Sequence, residues 1–258
     1  MTILGAIILG LVEGVTEFLP ISSTGHLILA SDLLHIAETD FVKTFIIVIQ
    51  LGAILAAAVL YWRRLLLEPR TLALTIVAFV PTGVIGFLLY KVIKGLLGDP
   101  VIVVWSLLAG GVILLLIEWW LRDRPAAIHH VRDISYPQAA VIGACQALSM
   151  VPGVSRSAAT IMTGLVLGVE RKAIVEFSFI LAIPTMVAAS AYEIYKTRHQ
   201  MNLAQVDLLA VGFVVAFVLA IVSIKFLLRF VQTHTFSAFG VYRIVAAIAF
   251  WLIVLSQR

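Results

Sequence analysis

The sequence predicts an all-α polytopic membrane protein: an inverted-topology repeat with about six transmembrane helices plus two re-entrant helix–loop–helix segments. Three observations predict it. Of 258 residues, 62% are hydrophobic and only 12% are charged, against about half and a quarter in a soluble domain. Apolar runs of span length recur between short basic joints. Two further apolar stretches are broken in the middle by polar residues and proline. A mean hydropathy of +1.11 leaves apolar surface that only lipid can solvate.

The runs Thr44–Trp62, Leu72–Tyr90, Val101–Leu121, Ile174–Tyr195, Leu208–Leu228 and Ala238–Leu255 each match the ~20 residues that a helix needs to cross ~30 Å of hydrocarbon. Polar joints are expected at Arg63–Arg70, Lys91–Pro100, Arg122–Arg132, Lys196–Asn202 and Arg229–Thr235. Pro81 and Pro184 fall inside spans, which membrane helices tolerate when neighbours satisfy the freed carbonyls. Ile3–Leu34 is interrupted by Glu13, Glu17, Pro20 and ISSTGH; Tyr136–Val169 is interrupted by Gln146 and VPGVSRSAAT. Neither half of either stretch spans a bilayer, so each reads as a hairpin that enters and leaves on one side.

The two broken stretches also match each other. Gly10 aligns with Gly143, Glu13 with Gln146, Thr16 with Ser149 and Ser22 with Ser155; further on, Ala56 and Ala57 align with Ala188 and Ala189. Residues 1–258 therefore read as a single integral membrane domain with halves 1–125 and 126–258. Each half holds one hairpin and three spans, so the second is inverted relative to the first. That plan brings broken segments together near the midplane. The joints at Arg63–Arg70, Arg122–Arg132 and Arg229–Thr235 would share a side and carry the Lys and Arg excess of a cytoplasmic face.

The net charge of +4 sits at the ends of apolar runs, which argues topology and no nucleic-acid partner. One cysteine, Cys145, excludes an intramolecular disulfide or a Cys-rich metal site and reads as a small packed residue. MTILGAIILG lacks the basic start and cleavage site of a removed signal peptide.

Glu13 and Glu17 lie one helical turn apart on one face. Two carboxylates in an apolar segment require a cation between them or a shared proton, and ionisable groups at membrane depth are functional candidates. After Pro20, the run Ser22-Ser23-Thr24-Gly25-His26 offers hydroxyls at a helix N-terminus, a setting that suits phosphate, and an imidazole that titrates near neutrality. In the second hairpin Arg156, between Ser155 and Ser157, can grip phosphate with its planar fork and neutralise charge developing in a transition state. Thr160 follows one turn later. Arg243, inside the last span, needs an anion or a lined cavity. Gln50 reads as helix–helix glue, and Glu118, Glu176, Glu193 and Lys225 as interfacial groups. His129 and His130 lie in a basic joint and face water. Acids, an imidazole, an arginine and many hydroxyls within a membrane suit phosphoryl chemistry on a lipid phosphate better than acyl transfer.

EGVTEFLPISSTGH (Glu13–His26) and PGVSRSAAT (Pro152–Thr160) closely resemble the two signatures of the bacterial undecaprenyl-diphosphate phosphatases of the bacitracin-resistance type. KTFIIVIQLGAILA and VYRIVAA extend the resemblance along nearly the whole chain. The resemblance implies hydrolysis of a polyprenyl diphosphate to the monophosphate plus phosphate in the cell membrane. It also implies recycling of the lipid carrier of cell-wall synthesis, bacitracin resistance, a divalent cation (Mg²⁺ or Ca²⁺) and a site opening extracytoplasmically. In that reading Glu13 and Glu17 hold the metal or act as base. Ser23 is the nucleophile, His26 shuttles its proton, and Arg156 stabilises the transition state. Ser22, Thr24, Ser155, Ser157, Thr160 and Arg243 bind phosphate. Substrate and membrane lipids are the expected partners, and a homo-oligomer is compatible. A flippase with the same plan is the rival class. A phosphatidic-acid-type lipid phosphatase needs a histidine and an aspartate downstream of its Ser-Arg pair, and none follows Ser155-Arg156 at a fitting distance.

Overall fold

A computed structural model describes residues 1–37, 39–96, 99–199 and 205–256. Among these, ten α-helices follow in chain order: α1 Ile3–Thr16, α2 Ser23–Leu33, α3 Asp40–Leu67, α4 Pro69–Leu96, α5 Pro100–Trp120, α6 Tyr136–Gln146, α7 Arg156–Val166, α8 Arg171–Thr197, α9 Val206–Phe230 and α10 Ser237–Ser256. Two short helices then three long ones are followed by the same series again. Five helices are long and apolar enough to cross a bilayer, namely α3, α4 over Pro69–Leu89, α5, α8 and α9. The sixth expected span is the 20-residue α10, whose described apolar part, Ser237–Ile253, is shorter.

The helices overrun the expected joints. Arg63–Arg70 was expected to be a connection, but α3 runs to Leu67 and α4 starts at Pro69. Only Glu68 is non-helical (φ −106°, ψ 97°). Pro69 is at home in a first helical turn, where its missing N–H costs nothing. The joint at Lys91–Pro100 is helical as far as Leu96, with residues 97–98 outside the described residues. Residues 200–202 of the Lys196–Asn202 joint also lie outside them.

The two hairpins, α1–α2 and α6–α7, enter from opposite ends. At one end Gly5 of α1 lies against Ile36, just past α2, beside the starts of α3 and α9. At the other, Gln138 at the start of α6 donates to the carbonyl of Leu167 just past α7 (3.4 Å), and Ile128 bridges Val169. The three basic joints gather at that second end. One recess there joins Arg64 and Arg70 to Arg132 and Glu176, and another joins Arg124 to Arg171 and Gln232.

Packing exchanges between the halves: α1 lies on α9, and α6 on α4. Both crossings are close because glycine sits at the contact. A Cβ on Gly14 would fall 2.6 Å from the carbonyl oxygen of Ala216, and one on Gly143 only 1.8 Å from that of Ala78. Helix association in lipid depends on such close approach. The windows of α3 and α8 are 56% and 61% buried, those of α4, α5 and α9 22–33%. Hence α3 and α8 form the core, and the others wrap them with one face to lipid.

Glu118, expected at an interface, is buried. It accepts from Arg171 (2.5 Å) and from the backbone N–H of Phe236 (2.8 Å), stapling α5 to the starts of α8 and α10. Glu176 pairs with Arg64, and exposed His129 pairs with Glu170 at 2.9 Å. Cys145 is free and half-buried.

Candidate active site

Each hairpin breaks in the middle for the same local reason. Pro20 cannot continue α1, and the chain turns back through Ser22, whose φ is 73°. In the second hairpin Pro152 and Gly153 precede Ser155, whose φ is 72°. Left-handed backbone at a non-glycine costs about 1–3 kcal/mol and persists only where the surroundings impose it. The aligned serines of the two halves thus share one unusual turn, and each opens a helix, α2 or α7.

Arg243 of α10 ties the two tips together. Its guanidinium is fully buried and donates to the carbonyls of Pro20 (3.2 Å), Val154 (3.0 Å) and Gly153 (3.0 Å). It also donates to those of Ser106 (3.0 Å) and Leu107 (3.4 Å) on α5. Ser157 adds a direct link, donating to the carbonyl of Leu19 at 2.8 Å.

Between the tips lies a cavity of about 220 Å³. Glu17, Ser22, Ser23 and Thr24 line it from the first hairpin; Ser149, Gly153, Ser155 and Arg156 line it from the second. Gln50 of α3, Thr82 of α4, and Thr185 and Ser190 of α8 add to the wall, which Met150, Met186 and Ala189 complete. Gln50 therefore faces the cavity.

Glu17 is the hub. Its Oε2 accepts from the Ser23 hydroxyl at 2.5 Å, and its Oε1 accepts from Arg156 Nη2 at 3.1 Å. Side-chain exposure is 9% for both members of this ion pair, so water screens it little. Arg156 also donates to the carbonyl of Ser178 (3.0 Å) and lies 5.5 Å over the Phe18 ring; its Nε is buried without a partner. Charge-assisted contacts of this kind are the stronger ones.

Glu13 is fully buried, and neither of its carboxylate oxygens has a hydrogen-bond partner. A bare buried carboxylate is costly, whereas a cation held with Glu17 would satisfy it, so the residues fit a divalent metal. Among the described residues, no group of three or more His, Cys, Asp and Glu converges. Further ligands would come from substrate oxygens or water, as is usual for Mg²⁺.

Not every expected residue faces the cavity. Thr160 donates within α7 and meets Ser178 Oγ at 2.6 Å. Thr160 thus ties α7 to α8 while Ser157 and Arg243 hold the tips, where phosphate contact was expected of all three; their polar atoms are engaged by the protein itself. His26 does not meet Ser23. Its Nδ1 lies 2.7 Å from the Ser22 carbonyl and its Nε2 2.7 Å from the Tyr242 hydroxyl. Sequence reading passed over Thr82, Thr185 and Tyr242. The first two carried a signal, since each follows a proline inside a span. Their hydroxyls bond back to the carbonyls of Ala78 and Leu181, and both accept from Gln146 Nε2 at 3.1 Å.

Comparison with known proteins places the chain in a family. A family described as bacitracin resistance protein BacA matches residues 6–249. The chain is 50% identical over 252 residues to the undecaprenyl-diphosphatase of Sulfurihydrogenibium sp. (strain YO3AOP1), covering 98% of this chain and 99% of that one. It is 50% identical over 250 residues to the undecaprenyl-diphosphatase of Wolinella succinogenes, covering 97% of each. It is 46% identical over 251 residues to that of Aquifex aeolicus, covering 97% and 98%. Matched from end to end, with both signature loops meeting at one buried acid–serine–arginine cluster, the chain belongs to the bacitracin resistance protein BacA family.

Proposed function

We infer that this protein is an undecaprenyl-diphosphate phosphatase, a membrane hydrolase that converts undecaprenyl diphosphate to undecaprenyl phosphate and phosphate. It would thereby recycle the lipid carrier of cell-wall synthesis and confer bacitracin resistance. The observation that carries the reading is Glu17, which accepts the Ser23 hydroxyl with one oxygen and the Arg156 guanidinium with the other.

Ser23 Oγ attacks the terminal phosphorus while Glu17 takes its proton. The bond from that phosphorus to the bridging oxygen breaks, and undecaprenyl phosphate leaves with the proton. Water then attacks the phosphoserine, and Ser23 Oγ recovers its hydrogen through Glu17 as phosphate departs. Arg156 neutralises charge on the phosphoryl oxygens as it grows. Ser22, Thr24 and Ser155 line the cavity, where their hydroxyls would donate to those oxygens. Glu13 and Glu17 would hold Mg²⁺ or Ca²⁺, which when bound supplies charge neutralisation for a diphosphate. The basic joints at one end support a cytoplasmic placement of that end, in the cell membrane, with the cavity reached from the extracytoplasmic face.

Purified protein given undecaprenyl diphosphate, or a shorter prenyl diphosphate, should release phosphate, and a chelator should stop it. Binding without cleavage would sink the enzyme reading and favour a flippase. Ser23→Ala should lose turnover by orders of magnitude; near-normal turnover would replace serine attack with direct attack by water.

A further inference from the structure

The Ser22 turn puts Ser23 against Glu17, and something must hold it. Its counterpart Ser155 is held by its own side chain, whose Oγ accepts from the N–H of Ala158 at 3.3 Å. Ser22 makes no such cap. Its carbonyl instead meets His26 Nδ1 at 2.7 Å. The residue one turn past Ser155 is Ala159, so the second hairpin has no equivalent imidazole.

A carbonyl only accepts, so Nδ1 carries a hydrogen, and in the neutral ring Nε2 is then an acceptor. The Tyr242 hydroxyl, 2.7 Å away, is the donor that matches it. The two rings stack at 5.6 Å and 10°, and Phe250 abuts the imidazole edge-on at 6.3 Å. Tyr242 precedes Arg243, which holds the Pro20 carbonyl. The last helix therefore grips the turn on both sides of Ile21. Holding it by the carbonyl leaves the Ser22 hydroxyl facing the cavity.

We infer that Tyr242 is a positioning residue: through His26 it holds the Ser22 carbonyl, and so keeps the Ser23 hydroxyl on Glu17. The effect on turnover rests on the reading of Ser23 as nucleophile; the geometric claim does not.

Tyr242 is 44% exposed, so Tyr242→Phe removes the hydroxyl and keeps the ring. On a short prenyl diphosphate, that variant should lower kcat about tenfold, the loss of one hydrogen bond, with KM within about twofold. The pH profile should keep its shape. An unchanged kcat, or a change confined to KM, overturns the inference. A shifted limb of the pH profile overturns it in favour of a proton relay. The second measurement needs no turnover. In a Cys145→Ser background, Ser23→Cys should react with a small alkylating reagent at a different rate when position 242 is Phe; equal rates overturn the inference. If Ser23→Ala stays active while those rates differ, the nucleophile reading fails and the positioning claim stands.

Discussion

Glu17 does what no neighbouring residue can, because its two oxygens face different partners. One polarises the Ser23 hydroxyl and the other anchors Arg156. The arginine in turn is aimed by the Ser178 carbonyl and the Phe18 ring. Lysine has the charge but not the fork. Arg156→Ala should therefore lower kcat about 10²- to 10³-fold, the usual cost of removing one transition-state donor, and Arg156→Lys should recover only part of it. Steady-state kinetics on purified protein check this: a rise in KM at constant kcat would reassign Arg156 to ground-state binding.

At the scale of elements, the helices meet where side chains are missing. Gly143 lies against the backbone of α4 with no room for a methyl group, whereas nothing lies within 4 Å of a Cβ placed on Gly83. Gly143→Val should destabilise by about 1–3 kcal/mol or more through overpacking. Gly83→Ala should be neutral, or stabilise by about 0.4–1 kcal/mol by restricting the unfolded chain. Thermal melting of the two variants in the same detergent separates the effects. The Gly143 change should also reach the site, because α4 carries Thr82 into the cavity wall.

For the whole molecule, closure depends on the last helix. Helix α10 packs along α5, sends Arg243 between the hairpin tips, and is pinned at its start by Glu118. Glu118→Ala leaves Arg171 and the Phe236 N–H without their acceptor. It should cost about 2 kcal/mol, below the full price of a broken buried pair, because the Arg171 side chain is still 31% exposed. The melting temperature of the purified protein should fall accordingly, and an unchanged melting temperature would show that this staple adds nothing to stability.

The sequence by itself determined the solvent, the helices and the two places where they break. Hydropathy selects lipid, lipid demands backbone that satisfies itself, and the aligned Gly, Glu/Gln and Ser positions of the hairpins reveal the repeat. It also pointed to Glu13, Glu17, the hydroxyls of Ser22, Ser23 and Thr24, His26 and Arg156, because acids, hydroxyls, an imidazole and an arginine at membrane depth need a reason. Only the tertiary structure decided which of these polar groups meet. His26 sits beside Ser23 in sequence, yet bonds across the fold to Tyr242; Arg243 and Glu118 turn inward to hold backbone. The physical reason is that a helical pattern specifies which face a side chain occupies but not what lies opposite it. Across the hairpin tips, partners come from chain segments 139–223 residues apart, and only their packing says whose hydrogen bonds are already taken.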